Sequence, residues 1–254
     1  MFKQDLTFSS PYWNAAGTLG FAPDTRNPVP WDQFGAFVTN PISMHARVPA
    51  KTPAMIAYPG GYLLHTGLPN PGLRASIKKF GHRWEDSRVP VIVHLMANNP
   101  EESGRMVSIL EELENISAVE LGFAPQVADD IILSTVEKCW GELPLIVSLE
   151  TEKVRPLGSS VIETGAAAIS LAPPRGMIML ENGQQVTGRL SGAGLFPGAL
   201  LAVRDAVQAG IPIIGAGGIG SKEKADTMLS VGALAIQVDA SLWRGEVNVW
   251  APES

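Results

Sequence analysis

The densest patch of residues able to do chemistry lies in Ile211–Ala233, IPIIGAGGIGSKEKADTMLSVGA. Gly215 to Gly218 carry little or no side chain, so backbone N–H groups there can approach an oxyanion. Ser221 stands where it can cap a following helix, whose N-terminus favours negative charge. The chemistry implied is the holding of a phosphate. A tight strand-to-helix turn would need the same glycines for their dihedrals alone, and the stretch by itself leaves both readings open.

Polar residues at strand ends form a second group. His45, His65 and His94 fall at strand ends or in the loops after them and could converge over one mouth. A metal triad would need a shared rigid geometry that spacing does not supply. Such histidines are more often loop residues or substrate contacts, and no metal ligand is assigned. His94, closing the run PVIVHL, is the candidate catalytic acid or base; the plainer reading is a satisfied polar group under a loop. Arg47 and Arg175 could meet an anion at the mouth or lie solvated. Cys139 is the only cysteine, which excludes an intramolecular disulfide and a cysteine zinc cluster. With Val136 and Trp140 beside it, it reads as a packed helix residue.

The elements that must position these groups alternate. Short apolar, β-rich runs occur at 11–15, 35–39, 90–95, 118–122, 144–149, 167–171, 211–215 and 234–238. Most are continuously apolar, as parallel strands buried on both faces should be. Between them lie helical patterns with their own punctuation. Asn99-Pro100-Glu101-Glu102 supplies an N-cap, a first-turn proline and a capping-box Glu. Met106, Ile109, Leu110 and Leu113 share one helical face, as do Ile132, Val136 and Cys139, and Leu200, Val203 and Val207. Gly165, Gly210 and Gly232 sit where helices should end. The pattern predicts an α/β fold, a (β/α)8 TIM barrel forming one domain over 1–254. MIMLENGQQVTG interrupts it after strand six as a hairpin turning at Asn182-Gly183.

Composition narrows the function. The chain has 254 residues, 45% of them hydrophobic, and a formal net charge of −6. No Lys/Arg run marks a nucleic-acid or anionic-membrane surface. The start lacks the apolar core of a signal peptide and no apolar run reaches spanning length. The expectation is a cytoplasmic protein with a small-molecule ligand. WRGEVNVWAPES at the end is short for a full eighth helix, which is consistent with a homo-oligomer.

NAAGTLG, FGAFVTNPIS, TGLPNPG, TGRLSGAGLFPGALLAV, IPIIGAGGI and GALAIQ, taken in order, resemble segments of the flavin-dependent dihydroorotate dehydrogenases. The resemblance spans nearly the whole chain and implies an FMN flavoprotein oxidoreductase of pyrimidine biosynthesis. It implies that Gly192, Gly217 and Gly218 lie against the FMN phosphate through backbone N–H groups. Gln237, Asn14, Thr39 and Ser148 fall at its cofactor positions, although Asn14 and Thr39 could instead tie down the first two loops.

The family's reaction needs a base to take a proton while the flavin takes a hydride, and here the sequence departs from the pattern. Thr39-Asn40 stands where the family has Thr-Lys. Leu64, next to His65, stands for an asparagine, Gly122 for the substrate asparagine and Ala124 for the catalytic base. Ser148, with Glu150 close by, replaces the lysine that faces the flavin ring. Ser170 is nearest to the missing strand-six asparagine, and Asp239-Ala240 replaces Gly-Thr after the eighth strand. The expectation is a divergent barrel that holds FMN or another phosphate ligand without oxidising dihydroorotate by the family mechanism. The alternatives are a non-catalytic binding or assembly subunit, and a non-flavin enzyme acting at the mouth through His94.

Loss of a general base alone typically costs ~10²–10⁴-fold in rate. Purified protein is therefore expected to give no turnover of dihydroorotate with quinone, fumarate or NAD. A steady-state assay that returned rates near those of ordinary enzymes would overturn the reading of Ala124, Asn40 and Ser148.

Overall fold

The computed structural model describes residues 6–24, 29–51, 54–239 and 242. Strands β1 (Tyr12–Asn14), β2 (Phe37–Val38), β5 (Val91–Met96), β6 (Ile116–Gly122), β7 (Leu145–Leu149), β8 (Ala168–Leu171), β11 (Ile213–Ala216) and β12 (Ala235–Val238) form one parallel sheet. Its order is β1-β12-β11-β8-β7-β6-β5-β2. Each expected apolar run contributes one of these strands. A parallel bridge between Trp13 and Ala36 brings the two ends together. Asn14 completes the seam by acting as a surrogate peptide: its amide donates to the Val38 carbonyl at 2.7 Å and accepts from the Val38 N–H at 2.9 Å.

Helices α1 (Leu73–Glu85), α2 (Pro100–Glu111), α3 (Asp129–Cys139), α4 (Thr151–Thr164), α5 (Phe196–Gln208) and α6 (Lys222–Ser230) surround the barrel. The predicted punctuation appears as read. The Asn99 side chain accepts from the Glu102 N–H at 3.0 Å, Ser221 accepts from the Lys224 N–H at 3.3 Å, and Gly165, Gly210 and Gly232 have positive φ. Cys139 is buried, and burial followed by the charge of Glu111 pushes its thiol up to about 12, so it is inert.

Period-2 alternation divides each strand between two cores. Outward residues such as Phe37, Val91, Val93 and Leu95 pack with Leu73, Trp84, Met106 and Leu110 of the helices. Inward residues Trp13, Val38, Ile92, Ala118, Ile146, Ala168, Ile214 and Ala235 fill the barrel. Leu6 and Phe8 cover its lower end, the Phe8 ring meeting the Trp13 ring edge-on at 4.8 Å.

The hairpin after β8 is present as β9 (Arg175–Met179) and β10 (Gln185–Ser191), with Gly183 at φ 81°. Sequence patterning missed its counterpart. β3 (Met55–Tyr58) and β4 (Gly61–Leu64) form a second hairpin, and the two join in a four-stranded sheet ordered β3-β4-β10-β9. MIAYPGGYLL is short and only half-buried on β3, so neither alternation nor a continuous apolar run marks it. The terminal WRGEVNVWAPES lies outside the described residues.

Ile146 is fully buried in the inward layer. Ile146→Ala should cost about 2–5 kcal/mol and Ile146→Val about 0.5–1.5 kcal/mol in a denaturant titration. A loss under about 1 kcal/mol for the alanine variant would mean that the barrel interior is not tightly packed.

Candidate functional site

Two residues beyond the inward apolar layer, the same alternation raises a polar one. It comprises His94, Glu120, Ser148, Ser170 and Gln237, with Ala216 alongside. At its centre is Glu120, only 1% exposed. Its Oε2 accepts from His94 Nδ1 at 2.6 Å. Its Oε1 accepts from Ser170 Oγ at 2.6 Å and from Gln237 Nε2 at 2.7 Å. Burial opposes ionisation of this carboxyl. The hydrogen bond and charge of His94, with the hydrogen bonds of Ser170 and Gln237, outweigh burial and hold it below the usual carboxylate range. His94 and Glu120 are directly opposed in the β5–β6 register. The His94 backbone N–H donates to Thr39 Oγ1 at 3.0 Å, which fixes the strand beneath the ring.

With Nδ1 turned to Glu120, Nε2 is the nitrogen left to face the mouth. It lies so close over Gly122 that a Cβ there would stand 2.3 Å from Nε2. Gly122 is thus the glycine that this histidine needs. Glycine at 122 and the placement of His94 are two halves of one arrangement.

A cavity of about 280 Å³ opens above, lined by His94, Gly122, Ala124, Ser148, Arg175 and Arg189, among others. A smaller one of about 80 Å³ lies inward of it between Gly17, Leu64, His94, Ser148, Arg189 and Gly217. A third, of about 700 Å³, lies beside Gly192, Gly218, Ser221, Lys224, Tyr62 and Asp239. Ser191 and Asp239 line both of the last two, and the Ser191 hydroxyl donates to the Asp239 carboxylate between them.

Of the residues expected at a cofactor, Ser148, Gly217 and Gln237 border the inner cavity, and Gly192 and Gly218 the third. Asn14 and Thr39 are buried and spend their side chains on the β1–β2 seam and on His94. The glycines have a structural reason of their own. A Cβ on Gly218, at φ 69°, would stand 2.5 Å from the Phe196 nitrogen, and one on Gly192 would stand 2.2 Å from the Gly60 carbonyl oxygen. Close approach of neighbouring backbone therefore demands them with or without a ligand.

The residues present fit FMN at one end only. The third cavity offers room, an N-terminal helix turn and Lys224 to a phosphate. The inner cavity, at about 80 Å³, adjoins the mouth cavity at His94, Ser148, Ala172, Pro173 and Arg189 and offers little room of its own for a ring system. The Ser191–Asp239 pair stands across the route between the two.

The three histidines do not converge. His65 Nδ1 contacts the Thr187 carbonyl oxygen at 2.7 Å, joining β4 to β10, and His45 is exposed in its loop. Among the described residues no group of three His, Cys, Asp or Glu is placed to hold a metal ion. Ala124 sits exposed on the rim, its N–H donating to Asn98 Oδ1 at 2.7 Å. Sequence reasoning missed Glu120 and Arg189. Glu120 could have been found as a carboxylate on the inward phase of AVELG, and Arg189 as a charge between Gly188 and Leu190 on a strand.

The dihydroorotate dehydrogenase family model matches residues 3–142. The catalytic subunit of the NAD(+) dihydroorotate dehydrogenase B of Pelobacter propionicus is 32% identical, with 92% of this chain and 84% of that protein aligned. Its namesake in Pyrococcus furiosus is 29% identical over 94% of this chain and 85% of its own length. A crystal structure of the Eimeria tenella enzyme in complex with ferulenol superposes with a TM-score of 0.73 at 18% identity, over 95% of this chain and 79% of that one. At that identity the superposition concerns the fold alone.

Because the folded-state pKa of Glu120 lies below its unfolded value, it contributes stability above the ordinary carboxylate pKa of about 4.3. That stability is lost as pH falls through the folded value. Thermal melts from pH 7 to pH 3 should show wild-type protein losing more of its melting temperature than Glu120→Gln does. Parallel acid limbs would show that the carboxylate is not ionised in the folded barrel.

Proposed function

The chain belongs to the dihydroorotate dehydrogenase family, and on that premise we propose that it performs acid–base chemistry on a small molecule at the barrel mouth. In this reading His94 is the proton-transferring group, and dihydroorotate is not oxidised by the family mechanism. The observation that carries the reading is the 2.6 Å contact of His94 Nδ1 with the buried Glu120 carboxylate.

Whenever the ring is neutral, that contact keeps its proton on Nδ1 and leaves the Nε2 lone pair toward the cavity. A substrate C–H, N–H or O–H presented there gives its proton to Nε2. The imidazolium that forms lies against the Glu120 carboxylate, which lowers the cost of its charge. Ser170 and Gln237 saturate the other carboxylate oxygen and keep Glu120 in register. Gly122 leaves the space through which Nε2 meets the substrate. Ser148, where a cation would stabilise negative charge on a flavin ring, offers one neutral donor.

FMN binds weakly or not at all in this reading. Asp239, though held by Ser191, keeps a carboxylate on the lining of the cavity that a phosphate would use. Two like charges about 5 Å apart at an effective dielectric near 20 repel by roughly 3 kcal/mol. A second reading is a binding or assembly subunit. It is supported by Met55, Met177 and Met179, which stand exposed on the four-stranded sheet. No helix among the described residues is long and apolar enough to cross a membrane, which is compatible with the proposed cytoplasmic site of action.

The reading predicts colourless purified protein and no melting-temperature shift on FMN titration. Asp239→Gly should gain a saturable shift. Incubation with small carbon acids in D2O should reveal deuterium exchange that falls ~10²–10⁴-fold in His94→Gln. Flavin retained through purification, or exchange undiminished in His94→Gln, would overturn it.

A further inference from the structure

Arg175 and Arg189 stand directly opposite each other in the antiparallel β9–β10 register. Like charges so placed repel, and nothing among the described residues neutralises them. Arg189 turns inward over Gly17: its guanidinium nitrogens stand 3.5 and 3.6 Å from where a Gly17 Cβ would be. It is half-buried and borders both the mouth cavity and the inner one. Among the described residues its guanidinium makes no hydrogen bond or ion pair.

The other charges nearby do not repair this. Lys153, at the mouth, is already held by Asp129 and the Val127 carbonyl. Glu150 is the only carboxylate among the described residues of the mouth cavity and forms no ion pair with either arginine. Asp239, on the inner cavity, accepts from Ser191. Arg47 adds a further cation to the mouth.

A guanidinium withdrawn from water without a partner costs stability, and beside a like charge it costs more. Burial and then the charge of Arg175 lower the Arg189 pKa from its usual value, which is the same cost seen through its proton. An arrangement of this kind is stabilised when an oxyanion arrives. The five fixed donors of an arginine match the two oxygens of a carboxylate or phosphoryl group.

We propose that Arg189, with Arg175 opposite it, is the anion-binding subsite of the barrel mouth, taking the carboxylate or phosphoryl group of a small ligand beside His94. Only the ligand's encounter with His94 rests on the acid–base reading; the anion site stands on its own geometry. It gives the small-molecule ligand a charge class and a point of attachment. It also separates the site from the glycine turn, where any phosphate would meet Lys224 instead.

Melting temperatures measured against inorganic phosphate and against malonate, at constant ionic strength, test the proposal. Wild-type protein should show a saturable rise with at least one of them, following the mass action of a ligand that binds only the folded state. Preference for phosphate indicates a phosphoryl ligand, and preference for malonate a carboxylate one. In Arg189→Gln the half-saturating concentration should rise at least about tenfold, while the anion-free melting temperature should not fall below that of wild type. Arg189→Lys should recover part of the affinity, since lysine supplies charge without the fork. His94→Gln should keep the anion response, so that failure of the acid–base reading remains distinguishable from failure of this one. Should Arg189→Gln not fold, Arg175→Gln, altered at an exposed position, should raise the half-saturating concentration severalfold. No saturable response to either anion, or a response undiminished in the arginine variants, overturns the proposal.

Discussion

A carboxylate enclosed in a barrel must have both oxygens satisfied, and the site is organised by how Glu120 meets that requirement. His94 takes one oxygen, and Ser170 and Gln237 share the other. These four side chains come from four different strands, so the network binds β5, β6, β8 and β12 into a fixed polar layer above the apolar one. In a low-dielectric interior each bond is strengthened, and any missing partner would be costly. The ring orientation of His94, the open face of Nε2 and the need for glycine at 122 follow from that one constraint.

The glycine-rich turn answers to a demand of packing. Backbone approach of Phe196 to Gly218, and of Gly60 to Gly192, demands glycine at those positions on packing grounds. The turn therefore remains suited to a phosphate while also being required by the scaffold. Asp239 and Lys224 bring charges of both signs to its rim, while Arg47, Lys153, Arg175 and Arg189 line the mouth. The family's fold is present, and the three arginines among them line the outer mouth.

The four-stranded sheet carries two of the arginines of the mouth. It joins a hairpin before α1 to one after β8 across the C-terminal end of the barrel, and it places Arg175 and Arg189 over the opening. Its pairing with β4 fixes the register of Arg189 against Leu64, which sets the depth to which the guanidinium reaches. The insertion is part of the site, as its position after the sixth barrel strand suggests.

The eight strands, the caps at Asn99 and Ser221, the helix-ending glycines and the hairpin at Asn182-Gly183 were legible in the sequence. Each depends on local chemistry: a period of two, a side-chain oxygen near free N–H groups, or a positive φ. His94 was also visible as a polar residue at a strand end. Glu120 became meaningful only when its inward phase was set against residues 26, 50 and 117 positions away. Arg189 became a charge without a partner among the described residues only when the ribbon folded over Gly17, and Asn14 and Thr39 took up hydrogen bonds within the barrel once their partners were in place. The sequence by itself determined which segments are strands and helices, because those preferences act between near neighbours. The tertiary structure alone decided which charges are satisfied and which face a cavity, because burial and pairing depend on what distant segments bring alongside.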